Sequence, residues 1–139
     1  MKIEKELYYK IITICPAAPT ETGGIIGAKS EIITEFVPDT THSEYGKYTP
    51  DTEMINRTIV SWEERNINFR GIYHSHYPEN NRLSQTDVEY IKKIMLSVCN
   101  IYSFLYFPIV IPQESITVYK AEIKNNAIVI TNDKLQIIS

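Results

Sequence analysis

His74-Ser75-His76-Tyr77-Pro78-Glu79-Asn80-Asn81-Arg82-Leu83-Ser84-Gln85-Thr86-Asp87 is the stretch around which the chain is organised. A run rich in strand formers precedes it (Ile67, Phe69, Ile72, Tyr73), and a helical pattern follows, with Val88, Ile91, Met95 and Val98 at the 3.6-residue period. A strand therefore ends and a helix begins within it. Successive strand side chains point to opposite faces, so His74 and His76 project the same way and Ser75 does not. Two imidazoles on one side suit one divalent ion. With the Asp87 carboxylate they form a set that leaves a fourth tetrahedral position for water, as catalytic zinc requires. Ser84 and Asp87 have a second reading, because Ser-Gln-Thr-Asp at the start of an amphipathic helix is close to a capping box. The two readings are compatible, since one carboxylate oxygen can bind metal while the other accepts from the first turn.

Upstream, Leu7, Ile11 and Ile14, with Tyr8, Ile12 and Cys15 on a neighbouring stripe, predict a helix over residues 4–15, ended by Pro16 and Pro19. Glu21 then leads into Gly23, Gly24 and Gly27, which suit close backbone approach. Ile25–Ile26 and Ile32–Val37 read as strands joined by a turn at Lys29–Ser30, with Pro38 closing the second. Residues 39–48 form a polar loop holding the third histidine, His42, which is expected to be exposed. Thr49-Pro50-Asp51 reads as hydroxyl N-cap, proline at N1 and acid in the first turn. The helix it opens runs to about Asn66, with Met54, Ile55, Ile59 and Trp62 on one face.

Downstream, the helix from Ser84 to about Cys99 leads to an apolar strand over Ile101–Val110. Ser115–Ile123 and Ala127–Ile130 read as a hairpin around Asn125-Asn126, and Leu135–Ile138 as a last short strand. This order predicts an α/β or α+β fold, a single domain over residues 1–139 with a central mixed sheet. A hydrolytic base near the metal should be a carboxylate. Glu21, fixed between a proline-rich turn and a glycine-rich strand, and Glu79, beside the histidines, both qualify on spacing.

The formal charge of −3 provides no basic footprint for nucleic acid or an anionic membrane. Cys15 and Cys99 alone make neither a disulfide framework nor a thiolate metal site, which suits a reducing cytoplasm. Acids at Glu4 and Glu6 fall where a signal peptide needs an apolar run, and the longest apolar run, near 101–111, is interrupted by Ser103 and Pro108. A cytoplasmic protein without membrane attachment is expected.

His74-Ser75-His76, seven residues, Ser84, two residues, Asp87 resembles the signature of the JAMM (MPN+ or JAB) zinc metalloproteases, with no spacing error. Glu21-Thr22-Gly23-Gly24-Ile25-Ile26-Gly27 resembles the family's glutamate before a glycine-rich strand, and Gly71-Ile72-Tyr73 its usual lead-in to the histidines. The likeness covers residues about 5 to 100 and is closest to compact stand-alone prokaryotic members. It implies a curved mixed β-sheet flanked by helices, on a plan like that of cytidine deaminases. It also implies one Zn²⁺ per chain on His74, His76 and Asp87, Glu21 as base in place of Glu79, and Ser84 stabilising the oxyanion.

The activity implied is cleavage of the amide bond after the tail of a ubiquitin-like protein, by deconjugation or precursor processing, including in antiphage systems. Hydrolysis of sulfur-carrier proteins or small peptides is the alternative. A non-catalytic scaffold is disfavoured by the intact set of site residues. The sequence departs from the family at two points: Tyr77 displaces the proline after the second histidine to Pro78, and Leu83 replaces a proline before the serine. Both put substrate selection in the loop Tyr77 to Leu83.

Overall fold

Residues that alternate between two buried faces set the architecture. In the computed structural model, which describes residues 1–15, 21–39, 43–44, 47–48, 51–78 and 80–139, the order begins with β1 (Lys2–Glu4), α1 (Lys5–Ile14), β2 (Gly23–Lys29) and β3 (Ile32–Asp39). A small ribbon of β4 (Ser43–Glu44) and β5 (Lys47–Tyr48) follows, then α2 (Thr52–Glu64), β6 (Asn68–Ser75) and α3 (Gln85–Val98). The chain continues through β7 (Phe104–Ile111), β8 (Ser115–Lys124), β9 (Ala127–Asp133) and β10 (Gln136–Ile138). Eight strands form one curved mixed sheet in the order β10-β1-β3-β2-β6-β7-β8-β9. The central pair β2–β6 is antiparallel, whereas β6–β7 is parallel.

Helices cover both faces. α1 places Leu7, Ile11 and Ile12 in one core with Ile26, Ile33, Tyr73 and Val110. α2 and α3 place Ile55, Trp62, Ile91 and Met95 in the other, with Ile25, Ile72, Leu105 and Phe107. Neighbours such as Ile25 and Ile26, or Ile72 and Tyr73, thus belong to opposite cores, as a strand buried on both sides requires. Alternation then assigns His74 to the face covered by α2 and α3, and Ser75 to the face covered by α1. Gly71 has a separate reason to be glycine: a Cβ there would collide with the Tyr106 carbonyl on the adjoining β7.

Several expectations are corrected at element ends. β1 is absent from the sequence reading because three residues carry no period; it lies between β10 and β3, parallel to both. Pro38 does not close β3, which continues to Asp39. Proline is tolerated there because β1 pairs with β3 only at Ile32 and Ile33, so no partner on that side needs the missing N–H. The turn between β2 and β3 lies at Ser30–Glu31, both at positive φ (50° and 63°), one residue later than expected. β4 and β5 occupy part of the loop 39–48.

The N-cap of α2 is Asp51, whose side chain accepts from the Met54 amide at 3.2 Å. Its own amide donates to the buried Asp39 carboxylate at 2.7 Å, which ties β3 to α2. Thr49 and Pro50, like Pro16, Pro19, His42 and Glu79, lie outside the described residues. β7 starts at Phe104, because the chain turns after α3 with Ile101 and Tyr102 amides both donating to Val98, which leaves Ile101 exposed. The Asn125-Asn126 turn is as expected, with φ of 51° and 63°. No helix among the described residues is long and apolar enough to cross a membrane.

Candidate metal centre

His74 is the penultimate residue of β6, and His76 follows the strand by one residue while keeping its direction through a 3.0 Å bond from its amide to the Val110 carbonyl of β7. Both are buried. Asp87 arrives from the first turn of α3, where the capping box read from the sequence is fully formed. Ser84 Oγ accepts from the Asp87 amide at 3.0 Å, and Asp87 Oδ2 accepts from the Ser84 amide at 2.9 Å. That reciprocal pair fixes the carboxylate against the imidazoles. Asp87 Oδ1 lies 3.3 Å from His74 Nε2, and Oδ2 lies 3.2 Å from His76 Nε2. The two Nε2 atoms are 2.8 Å apart.

Donor chemistry and spacing fit a metal ion. His76 Nδ1 stands 3.0 Å from the Asn80 carbonyl, which can only accept, so Nδ1 carries a hydrogen and Nε2 is the nitrogen left to serve as a metal donor. Donors at about 2.0–2.1 Å from a tetrahedral ion stand about 3.3 Å from one another. The two Nε2 atoms, 2.8 Å apart, and the Asp87 oxygens that face them at 3.2 and 3.3 Å, one oxygen to each ring, are spaced on that scale. His74, His76 and Asp87 form a potential metal-binding group, one ligand atom from each lying within 4.8 Å of the others.

The electrostatics agree. Burial pushes the Asp87 carboxyl up, but hydrogen bonds from His74 and His76, with the Ser84 amide, outweigh it and hold the group below the ordinary carboxylate range. Burial lowers His76, yet the bond and charge of Asp87, helped by the Asn80 carbonyl, leave it raised. Glu21 sits before β2, its Oε1 4.0 Å from His76 Nε2. Burial raises its pKa, against the opposing pull of His76 and His74. A carboxylate beside the three candidate ligands but not among them is placed to handle protons.

All five residues singled out in the sequence therefore come together. Glu79, the rival base, lies outside the described residues. Two further residues support the site in ways their sequence neighbourhoods do not show. Ser75 Oγ accepts from the Thr22 amide, and Tyr119 from distant β8 donates its hydroxyl to the Asn81 carbonyl at 3.0 Å, holding the loop that carries Asn80. Ser75 had a signal, a hydroxyl on the apolar face of a strand; Tyr119 had none, since only the sheet brings it near. Beside this loop, Leu83, Val88, Tyr119, Ile128 and Ile130, with the polar Lys92 and Asn132, line an open groove of mixed character and about 340 Å³.

Fold and site define a JAB-type domain carrying a potential metal centre. The sequence profile of the prokaryotic homologues of the JAB domain matches residues 5–124, and the chain belongs to that family, whose members are often metallohydrolases. Two solution structures share its fold. One is of a protein from Desulfitobacterium hafniense, with 13% identity over 99% of this chain and 93% of that one, at a TM-score of 0.66. The other is from Salinibacter ruber (strain DSM 13855), with 15% identity over 99% and 92%, at a TM-score of 0.59. No curated protein matches the sequence.

Proposed function

We propose that the chain is a zinc-dependent peptidase that hydrolyses the amide bond after the C-terminal tail of a ubiquitin-like protein, by deconjugation or precursor processing. Convergence of His74, His76 and Asp87 donors within 4.8 Å, with Glu21 4.0 Å from His76, is the observation that carries this reading. His74, His76 and Asp87 would hold one zinc ion per chain. When bound, zinc supplies Lewis acidity that polarises a carbonyl and brings the ionisation of water towards neutral pH.

The protein's own residues move the protons. Glu21 takes a proton from the attacking water and delivers it to the departing amine, which cannot leave as an anion. Its partial burial, by favouring the protonated carboxyl, helps it hold that proton between the two transfers. Ser84 has its oxygen engaged by the Asp87 amide, so its O–H remains to donate to the developing oxyanion. The loop Tyr77 to Leu83 and the groove behind Leu83 would receive substrate. A ubiquitin-like conjugation or antiphage system in the bacterial cytoplasm is the proposed setting, and a sulfur-carrier protein is the alternative substrate.

The test is to incubate zinc-loaded protein with fusions bearing either a ubiquitin-like or a sulfur-carrier tail, with and without chelator. Cleavage is expected to stop on chelation, and the preferred fusion decides between the substrates. Glu21→Ala should retain zinc and lose turnover by at least about a hundredfold, as removal of a proton-transfer group predicts. Cleavage indifferent to chelator, or full activity in Glu21→Ala, would refute the mechanism.

A further inference from the structure

We propose that Ser75 is a positioning residue whose buried hydroxyl holds Thr22 against the end of β6 and so fixes the Glu21 carboxylate beside the metal-binding donors. The inference rests on the peptidase reading for its consequence in catalysis, but its structural part stands on the geometry of this chain.

Ser75 is only 2% exposed and points to the face opposite the two histidines, so it offers nothing to a metal. A buried hydroxyl on that apolar side needs a partner. The regular β2–β6 register ends with Gly23 opposite His74. One step further, an antiparallel pair of Thr22 and Ser75 would exchange two backbone bonds. The first is present, from the Ser75 amide to the Thr22 carbonyl at 2.8 Å. The second is replaced: the Thr22 amide donates to Ser75 Oγ at 2.9 Å.

Here β6 is also drawn towards β7, where the His76 amide donates to Val110. The serine side chain thus keeps Thr22 pinned where the β2–β6 ladder gives out. Thr22 is itself buried, and its hydroxyl meets the Cys15 thiol at the end of α1. Glu21, the residue before it, belongs to no helix or strand. Its orientation towards His76 depends on the anchoring of Thr22. Alanine at position 75 would leave every metal donor in place and strand one buried amide.

The experiment combines amide hydrogen exchange on the zinc-free chain with Zn²⁺ affinity from chelator competition and cleavage of the tail fusion described above. In the unaltered protein the Thr22 amide should exchange on the order of a hundredfold more slowly than in an open chain, although it lies outside the ladder. In Ser75→Ala that protection should fall about tenfold or more. Zn²⁺ affinity should stay within about twofold, and kcat should drop on the order of tenfold to a hundredfold at unchanged KM. Ser75→Thr, which keeps the hydroxyl, should restore both protection and kcat.

Unprotected exchange at Thr22 in the unaltered protein, or equal protection in Ser75→Ala, would overturn the proposal. So would a loss of zinc affinity as large as that of Asp87→Asn, since Ser75 would then act on the ligands rather than on Glu21. Failure of the unaltered protein to cleave any fusion would refute the peptidase reading, while exchange and zinc binding would still decide the role of Ser75.

Discussion

Asp87 belongs to a helix cap and to the candidate metal-binding group, and the Asp87→Asn substitution separates the two. In the chelated protein asparagine keeps an oxygen able to accept from the Ser84 amide, now 2.9 Å from Oδ2. What disappears is a negative charge in the first turn of α3, about 0.3–1 kcal/mol by its interaction with the helix dipole, together with its attraction for the two imidazoles. The metal-linked effect is read separately, from the zinc-induced shift. Zinc at about a hundred times its dissociation constant stabilises the native state by about 2.7 kcal/mol. For 139 residues at typical specific unfolding entropy, that raises Tm by about 9 °C. Removing a donor that faces both histidines at 3.2 and 3.3 Å should weaken zinc at least as much as losing an outer-shell partner, about a hundredfold at the upper end.

At the same zinc concentration the shift then falls to about 1 °C. Thermal melts of chelator-treated protein with and without added zinc measure both quantities. Ser84→Ala is the complementary control: loss of its cap bond should cost about 1 kcal/mol in the metal-free protein, while the zinc-induced shift persists. A zinc shift undiminished in Asp87→Asn would refute the assignment of Asp87 as a ligand and leave it as a cap alone.

Tyr119→Phe removes the hydroxyl that holds Asn81, one residue beyond the carbonyl that orients His76. Zinc affinity should fall about tenfold, the lower end for an outer-shell partner, with little change in metal-free stability; unchanged affinity in chelator competition would show that the loop needs no clamp. Burial pushes the Cys15 thiol from 9.0 up to about 11, so between those values the unfolded chain releases a proton that the folded one keeps. The stabilisation is therefore complete below pH 9 and lost as pH rises through about 11, amounting to up to about 2.7 kcal/mol. Urea titrations at pH 8 and pH 11 should show a smaller alkaline loss in Cys15→Ala than in the unaltered protein, and equal losses would contradict this.

Local pattern made much of the protein readable. The 3.6 period of Val88, Ile91 and Met95 marked α3, and the capping residues Ser84 and Asp87 marked its start, because these signals are made by neighbours in the chain. The two-residue alternation of β6 likewise put His74 and His76 on one side. Element ends were harder: Pro38 could extend β3 only because the strand beyond it does not pair, and β1 exists only because β10 and β3 flank it. Neither fact is local.

The sequence by itself determined which side chains could bind a metal, and the alternation and the cap that orient them. Tertiary structure decided where they meet. It ran β2 antiparallel to β6, which carries Glu21 to within 4.0 Å of His76, and packed α3 on the face where Asp87 reaches both imidazoles. It also supplied the Ser75–Thr22 tether and the Tyr119–Asn81 clamp, the latter joining residues 38 apart in the chain. Periodicity reports the face a side chain uses, whereas only closure of the sheet determines what stands opposite it.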